Sequence, residues 1–369
     1  MNVTIRGQSR PYRTVSFDAT ENAVVLIEQR LLPHTFKRVK TRSYRETAEA
    51  IRSMVVRGAG AIGATAAFGL AQGARAFRGR DLQRFEAHIS AVYTTLKEAR
   101  PTAIDPINAM NALVQEMANG QSVSERQDIA FAAATRFADE DVEQCRHLGE
   151  QGVSLIHNGL RILTHCNAGW LAFVDIGTVT APLYAAQSAG KAFHVYCDET
   201  RPRCQGASLT AWELAQQGIS HQVIADNAAG FLMSRGEIDL VIVGSDRVLG
   251  RTGEVANKIG TYTKAVLAHR HNIPFYVAIP LSTLDWDLGS GLEIPIEDRS
   301  EDEVLGAWGV LPAVKGRIGK RAYVRIANPS STARNPGFDV TPPELITGII
   351  TPLGIFKPRD LKKLRGKIG

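Results

Sequence analysis

From Arg161 onward, short apolar segments alternate with longer amphipathic ones, and this rhythm constrains the fold more than any other feature. The apolar segments have the length and residue types of buried strands: RILTHC, FHVYCDE, HQVIAD, LVIVGSD and PFYVAIP. The segments between them have helical character: TVTAPLYAAQSAG, SLTAWELAQQG, AAGFLMSRG and NKIGTYTKAVLAHRHN. Since a helix can carry the chain back to the start of a parallel strand, the pattern predicts an α/β fold. We expect a Rossmann-like parallel sheet with helices on both faces.

The preceding residues follow a different pattern. Three short β-like runs lie in the first 45 residues: VTIRG, RTVSFDA and NAVVLIEQ. Helical patterns then cover residues 45–54, 62–77, 82–98, 107–117 and 128–149. Gly149, Gly152, Asn158 and Gly159 interrupt the last of these, which favours a boundary there. We therefore predict a smaller, mostly helical domain with a short β-element at 1–150, and the Rossmann-like domain at 151–369.

Composition excludes several classes of protein. The chain of 369 residues has ordinary globular proportions, no run of about 20 apolar residues, and no apolar signal-peptide core at its N-terminus. These features predict a cytoplasmic protein with no membrane partner, whose four cysteines are reduced thiols. The net charge of +6 is partly concentrated in residues 357–367, where no aromatic residues interleave. A solvated terminus is favoured there over a nucleic-acid-binding arm, and a small anionic ligand suits the charge equally well.

Polar residues follow the predicted strands at the point where each strand ends. They are Cys166-Asn167, Asp198-Glu199, Asp226-Asn227, Asp246-Arg247 and Ser282-Thr283. The carboxyl ends of parallel strands meet at one edge of a sheet, and α/β proteins bind their ligands there. We therefore predict a cleft at that edge. The alternative is that these residues are ordinary polar turns.

Two of these strand ends carry candidate catalytic groups. Asp246 follows the apolar run VIVG, and an apolar surround that includes Val243 and Val248 would raise its pKa, as a general acid/base requires. Cys166 is a candidate nucleophile or proton donor at the end of RILTHC. The alternatives are an aspartate that caps a surface turn and a buried structural cysteine. His165 is not expected to pair with Cys166, because successive side chains of a strand point to opposite faces.

A glycine-rich segment suggests where an anion binds. Gly58, Gly60 and Gly63 spell GxGxxG, but the preceding segment is helical and no acid ends a second strand about 20 residues later, so we reject a dinucleotide site. The segment VRGAGAIG instead predicts a loop that enters a helix. Free backbone N–H groups at that helix start, beside Arg57, would bind a phosphate.

Two further cations are candidates for the same phosphate. Asn257-Lys258 is predicted to open the helix that follows Asp246 and its loop, and Lys258 would reach the anion from that helix start. Arg100, in the segment ARPTAI, is a third cation, although a lone loop arginine is more often a surface charge. These groups come from both halves of the chain, so we place the phosphate between the two domains. No histidine–carboxylate set with ligand spacing is visible, so no metal site is predicted.

Together these stretches resemble the methylthioribose-1-phosphate isomerases of the methionine salvage pathway. The matching segments span nearly the whole chain: VRGAGAIG, ARPTAI, THCNAG, DETRPRCQGASLTAWEL, GSDR, ANKIGTY, PFYVA, EIPIEDR and NPGFDVTPPELITGIIT. The same fold occurs in regulatory subunits of a translation-initiation nucleotide-exchange factor and in ribose-1,5-bisphosphate isomerases. The complete set of Cys166, Gln205, Asp246 and Asn257-Lys258 favours the isomerases over the non-catalytic relatives.

The resemblance implies an aldose–ketose isomerase acting on a small phosphorylated sugar, 5-methylthioribose 1-phosphate. It also implies a homodimer that uses no metal or redox cofactor. On this resemblance Asp246 is the general acid/base and Cys166 the second catalytic group. The implied substrate and phosphate ligands are Arg57, Gly58, Ala59, Arg100, Gln205, Asn257 and Lys258.

The sequence departs from the family pattern in several places. Gly60 stands where the family usually has proline, and Asp105 stands where asparagine is common. GWLAFVDIGTVTAPLY and SDRVLGRTGEV replace commoner segments. If these positions flank the C5 substituent of the sugar, they leave the reaction type intact but the substrate open. The alternatives are a 5-deoxyribose-1-phosphate isomerase and a non-catalytic sugar-phosphate-binding subunit.

Overall fold

A computed structural model describes residues 1–100, 104–311 and 319–366. Within this part, residues 1–152 contain, in chain order, β1 (Asn2–Ile5), β2 (Gln8–Pro11), β3 (Val15–Asp18), β4 (Ala23–Ile27), β5 (Arg38–Thr41), α1 (Tyr44–Arg52), α2 (Ala59–Ala76), α3 (Leu82–Lys97), α4 (Asp105–Met117) and α5 (Val123–Gly152). The first two strands form a hairpin, and the next three form an antiparallel sheet in the order β3-β4-β5. The predicted β-element and its following helices are therefore present.

Helix α2 lies at the centre of the helical part and is buried along nearly its whole length. Its sequence is rich in alanine, which has a high helix propensity, and its small side chains let α3, α4 and α5 pack closely around it. The helix begins at Ala59, earlier than the predicted residue 62. The loop before it ends at Gly58, which packs so closely on Ala172 that a Cβ there would lie 2.4 Å from the Ala172 backbone.

The remaining described residues contain, in chain order, β6 (Arg161–Thr164), α6 (Thr180–Ser188), β7 (His194–Asp198), α7 (Ala211–Gln216), β8 (His221–Ile224), α8 (Ala228–Ser234), β9 (Leu240–Val243), β10 (Arg247–Leu249), β11 (Val255–Lys258), α9 (Thr261–Arg270), β12 (Phe275–Ala278), β13 (Leu284–Asp285), α10 (Asp302–Leu305), β14 (Gly306–Val310), β15 (Arg321–Arg325), β16 (Phe338–Thr341), β17 (Gly348–Thr351) and β18 (Gly354–Phe356). A π-helical turn, Gly206–Thr210, leads into α7. All five strands predicted after Arg161 are present. The helices predicted between them are present too, but α9 begins later than predicted.

The main sheet has seven strands in the order β18-β17-β12-β9-β6-β7-β8. Every neighbouring pair is parallel except β17 and β18. Side chains alternate between its faces: Val241 and Val243 share a core with α8 and α9, whereas Ile242 shares one with α6 and the end of α5. The expected α/β fold, with helices on both faces of a mostly parallel sheet, is confirmed.

A second, smaller sheet corrects one prediction. Asn257 and Lys258 do not open a helix; they end β11, which pairs antiparallel with β10 and with β16, in the order β13-β10-β11-β16. Helix α9 begins only at Thr261, after Gly260. The partner strand β16 lies about 80 residues later in the chain, so no local pattern marked these residues as a strand. As a result Lys258 reaches the sheet edge from a strand and not from a helix start.

The basic C-terminal segment is less free than expected. Up to residue 366 its lysines and arginines are exposed, but Leu361 and Leu364 are fully buried and belong to the core beneath α8 and α9. A 3₁₀ helix, Pro358–Leu364, carries both leucines. The segment is therefore anchored up to residue 366. In the residues that the structure describes, no helix is both long and apolar enough to cross a bilayer.

Candidate active site

One cavity of about 70 Å³ lies between the helical part and the carboxyl edge of the main sheet. Its lining includes all nine residues that the sequence singled out: Arg57, Gly58, Ala59, Arg100, Cys166, Gln205, Asp246, Asn257 and Lys258. These residues come from six separate segments of the chain. The structure therefore brings the whole predicted set together, although their individual roles stay predictions.

The first wall of the cavity is the start of α2. Gly58 is its N-cap residue, with φ of 95°, and no side chain caps the helix. The first N–H groups of a helix have no partner within it, so those at the start of α2 remain available for an anion. Arg57 lies directly before them and donates to the backbone oxygen of Asn167 at 3.1 and 2.8 Å.

Cys166 follows β6 and has φ of 67°, a region that a residue with a side chain rarely adopts. Two threonines hold this conformation: the Cys166 N–H donates to Thr200 Oγ1 at 2.8 Å, and Thr210 Oγ1 donates to the Cys166 oxygen at 2.7 Å. Strained residues that their surroundings enforce occur often at functional sites. Burial raises the pKa of the Cys166 thiol, while the charges of Arg57 and Lys258 oppose the rise. The sulfur therefore carries its proton near neutral pH and is suited to donating it.

Asp246 follows β9, and its side chain is open to the solvent of the cavity while protein encloses the other sides. Within the described residues its carboxylate makes no hydrogen bond, so it does not cap a turn. Enclosure raises the pKa of Asp246, and Lys258 and Arg100 oppose this rise. The direction and its main cause, removal from water, agree with the sequence prediction. Val243 and Val248 are fully buried in the core, and the charged groups around Asp246 in the cavity are mostly cations.

The cavity is strongly cationic. Lys258 is almost buried, donates to the backbone oxygen of Gly337 at 2.7 Å and lies over the Phe338 ring. Among the described residues, the one ion pair of Arg100 is a loose contact with Glu297, at 3.9 Å. Burial lowers the pKa of both Arg100 and Lys258, because charges removed from water lack full compensation. A bound anion would supply that compensation.

Two arginines in the lining were not singled out from the sequence. Arg203 and Arg299 both form ion pairs with Glu303, at 2.9 and 2.8 Å. Glu303 therefore neutralises much of the charge of these two arginines. Arg57 and Lys258, in contrast, form no ion pair in the described parts of the chain. Both arginines fall inside segments that carry the family resemblance, and that was their only signal in the sequence.

A larger cavity of about 770 Å³ adjoins the first and shares Met54, Arg57, Arg203 and Gln205 with it. The smaller cavity alone is too small for a phosphorylated sugar, since ligand sites commonly measure about 300–1,000 Å³. The larger one provides space and an opening to solvent. The chemistry-bearing residues therefore lie at the closed end of a wider cleft.

The departures from the family pattern have different consequences. Phe173 lines the cavity, and Asp105 borders a neighbouring cavity beside Asp246. Gly60 instead packs beneath the site: a Cβ there would lie 2.3 Å from Asp141 Oδ1 and 2.5 Å from the Phe173 ring. A proline at this position would not fit without movement of both side chains. The glycine is thus explained by the close packing of its neighbours.

Asp141 also gives a testable pH dependence. It is buried, accepts the Val174 N–H at 2.7 Å, and burial raises its pKa from 3.8 to about 7. A raised folded-state pKa favours folding fully below the unfolded value, and this contribution is lost as the pH rises through about 7. We expect Asp141→Asn to melt at a higher temperature than the wild type at pH 8 and to show a weaker pH dependence between pH 5 and 8.

The control is Asp139→Asn on the same helix, because Asp139 is exposed and pairs with Arg13. Its melting temperature should follow the wild-type pH dependence. Equal pH slopes for Asp141→Asn and the wild type, in scans of thermal unfolding, would show that the buried carboxyl is not the source of the effect.

In the described residues, one group of histidine and carboxylate atoms is close enough to hold a metal ion: His165, Asp198 and Asp226. His165 Nδ1 lies 2.8 Å from Asp198 Oδ2, and its Nε2 lies 2.9 Å from a backbone oxygen. Lys264 Nζ lies 3.2 Å from the same Asp198 oxygen and already supplies a positive charge. Asp226 accepts two backbone N–H groups. The group is therefore a hydrogen-bonded support beside Cys166, and both ring nitrogens of His165 have partners other than the thiol.

The fold and the cavity define the class: an α/β protein with a Rossmann-like sheet, whose carboxyl edge presents an acid and a thiol to a cationic cleft. The chain belongs to the Initiation factor 2 subunit family, whose model matches residues 55–358. Within that family it is similar to proteins named methylthioribose-1-phosphate isomerase, as its motifs predicted.

The relatives cover nearly the whole chain. The methylthioribose-1-phosphate isomerase of Brucella anthropi is 47% identical, over 95% of this chain and 95% of that protein. Methylthioribose-1-phosphate isomerase 1 of Pseudothermotoga lettingae is 45% identical, over 96% and 99%. The crystal structure of 5-methylthioribose 1-phosphate isomerase from Pyrococcus horikoshii OT3 has a TM-score of 0.85 and 41% identity, over 98% and 97%.

A second kind of relative shares the fold. The structure of the translation initiation factor eIF-2B, subunit delta, from A. fulgidus has a TM-score of 0.80 and is 37% identical, over 95% of this chain and 97% of that one. Similarity of fold therefore does not separate an isomerase from a subunit of a translation initiation factor here. The separation depends on the cavity and its residues.

Proposed function

We propose that this protein is a methylthioribose-1-phosphate isomerase, which converts 5-methylthioribose 1-phosphate to 5-methylthioribulose 1-phosphate. The observation that carries the proposal is the meeting of Cys166, Asp246 and a set of poorly compensated cations in one cavity. The relatives named for this activity, at 45–47% identity over nearly full length, support it. The sugar is thus the small-molecule partner that the sequence predicted.

In this proposal the cations hold the phosphate of the substrate. The start of α2 offers free N–H groups, and Arg57, Arg100 and Lys258 surround the same space. Charge-assisted hydrogen bonds to a phosphate dianion would replace the water that these buried cations have lost. Gln205 and Asn257 complete the wall with neutral polar groups. A phosphate fixed here orients the sugar towards Cys166 and Asp246.

The reaction needs a group that first gives and then takes a proton. Ring opening breaks the bond between C1 and the ring oxygen, which gains a proton; hydrogen then moves from C2 to C1, and the C2 hydroxyl loses its proton as a ketone forms. Asp246, with its raised pKa and no competing hydrogen bond, is suited to both steps. The Cys166 thiol is suited to donating a proton or stabilising developing charge nearby.

A non-catalytic subunit is the second candidate, because a subunit of eIF-2B is 37% identical in sequence and similar in fold. One experiment separates the candidates: the purified protein is incubated with 5-methylthioribose 1-phosphate, and in parallel with 5-deoxyribose 1-phosphate, and ketose formation is measured. Faster turnover of the methylthio sugar is expected. Preference for the deoxy sugar would change the substrate, and no turnover of either would favour the subunit.

Cys166→Ser is expected to lower kcat by about 10²-fold, with a much smaller change in KM. The thiol faces the cavity but provides no charge for the phosphate, so its loss should affect the chemical step. Initial-rate kinetics over a range of sugar concentrations would give both constants. Cys197→Ser serves as the control, because Cys197 is fully buried in the core of the main sheet and is not part of the cavity lining. A Cys166→Ser enzyme with unchanged kcat would show that the thiol is structural.

The proposal includes a homodimeric, cytoplasmic protein that uses no metal or redox cofactor, as the resemblance implies. It also includes two domains, 1–150 and 151–369. The cavity takes Arg57 and Arg100 from the first and Cys166 and Asp246 from the second, so closure of the cleft would exclude water from the reacting atoms.

A further inference from the structure

Glu213, in α7, is completely enclosed by protein. Its carboxylate accepts hydrogen bonds from Asn167 Nδ2 at 2.9 Å and the Leu171 N–H at 3.1 Å on one oxygen. The other oxygen accepts the Trp170 N–H at 3.0 Å and the Tyr184 hydroxyl at 3.5 Å. In the described residues it forms no ion pair. A buried carboxylate without a direct counter-charge is costly, which suggests that its placement serves a purpose.

Asn167 connects Glu213 to the cavity. Its Nδ2 group donates to Glu213 Oε1 at 2.9 Å and to Thr210 Oγ1 at 3.1 Å, so both hydrogens are used. Its Oδ1 therefore faces the other way, where it accepts from an Arg57 terminal nitrogen at 2.8 Å. A carboxylate only accepts, and the Thr210 hydroxyl donates its hydrogen to the Cys166 oxygen. These two acceptors leave the amide of Asn167 a single satisfactory orientation.

The loop after Cys166 is built around this carboxylate. A Cβ on Gly169 would lie 1.7 Å from Glu213 Oε2, so only glycine permits the loop to pass there. Two backbone N–H groups of the same loop then close on the two carboxylate oxygens. Glu213 thus holds both the loop and the amide that contacts Arg57.

We propose that Glu213 is a positioning residue that sets the orientation of the anion-binding Arg57 through Asn167. The inference rests on the proposed function, in which Arg57 binds the phosphate of the sugar. Arg57 donates three hydrogen bonds to Asn167, two to its backbone oxygen and one to its side-chain oxygen. If the Asn167 amide flips, its NH₂ group faces the Arg57 guanidinium, and two hydrogen-bond donors then lie against each other.

Glu213→Gln is a sharp test because its two effects on phosphate binding have opposite signs. The loss of charge favours binding, whereas the loss of control over the Asn167 amide weakens it. Burial raises the pKa of Glu213 to about 7, so the test is made at pH 8, where the group is ionised. Loss of its negative charge near Arg57 would by itself strengthen binding of an anion. The variant should nevertheless bind inorganic phosphate about tenfold more weakly, measured by calorimetry, because a glutamine amide no longer forces the orientation of Asn167. KM for the sugar should rise in parallel, and kcat should change by less than about threefold.

Tyr184→Phe is the matched control, since it removes a bond to the same carboxylate on the side away from Asn167. It should leave the phosphate dissociation constant unchanged. An equal loss in both variants would indicate general loosening and overturn the proposal, as would unchanged or tighter phosphate binding in Glu213→Gln.

A double-mutant cycle tests the route. Asn167→Ala should weaken phosphate binding, and Glu213→Gln should add nothing further in that background. Additive losses would show that Glu213 acts by another path. If Glu213→Gln does not fold, unchanged phosphate binding in Asn167→Ala alone overturns the proposal. Phosphate binding needs no turnover, so a wild-type protein that binds phosphate but isomerises neither sugar would refute the proposed function and leave this inference standing.

Discussion

Asp246→Asn is expected to fold normally, and its kcat is expected to fall by a factor of about 10² or more, which is what a general acid/base contributes. The substitution keeps the size of the side chain and removes only its ability to exchange a proton. The carboxylate makes no hydrogen bond with the described residues, so little structural support is lost. Substrate affinity should change much less, because the phosphate is held by other groups.

The matched control is Asp239→Asn, which removes a carboxylate at the opposite edge of the sheet. Asp239 lies just before β9, the strand that Asp246 follows, and pairs with Arg161. Its loss should affect stability slightly and leave kcat near the wild-type value. Wild-type turnover by purified Asp246→Asn, with an unchanged unfolding transition, would remove this residue from the mechanism.

The second large effect concerns the phosphate. A double variant, Arg100→Ala with Lys258→Met, should lose about 10³ in kcat/KM, because each charge-assisted hydrogen bond contributes about 1.5–3 kcal/mol. Methionine keeps the aliphatic stem of Lys258 over the Phe338 ring, so the packing there is largely retained. Most of the loss should be in KM, since the phosphate does not react.

Arg161→Ala controls for the removal of a cation. This arginine lies at the amino edge of the sheet and contacts Asp239, far along β6 from the cavity. Kinetics at constant ionic strength should show a normal KM for it. If the double variant also keeps its KM, the anion is bound elsewhere and the proposed clamp is wrong.

Patterns with a short period made much of the fold predictable. The alternation of apolar and amphipathic segments predicts five strands after Arg161, and the structure contains all five. A strand of a parallel sheet is buried on both faces, so its sequence must be an apolar run. The same reasoning placed Cys166 and Asp246 at one edge, because parallel strands end together. The family motifs added Gln205 and Asn257, which no pattern of burial or charge marked as special.

One error shows where local patterns fail. Lys258 is predicted at a helix start, yet pairing with β16 makes it a strand residue. The deciding neighbour, β16, lies about 80 residues later in the chain.

The sequence alone determined the class of fold, the edge of the sheet that carries the site, and the residue types that meet there. These follow from hydrophobic burial and strand direction, which local patterns record. Only the tertiary structure decided that Lys258 enters the cavity from a strand and that the absence of a side chain at Gly60 leaves room for Asp141. It alone decided that Asn167 connects Glu213 to Arg57 by hydrogen bonds. Those contacts join segments far apart in the chain. Their energies depend on distances of a few ångströms, and these are set only when the layers pack.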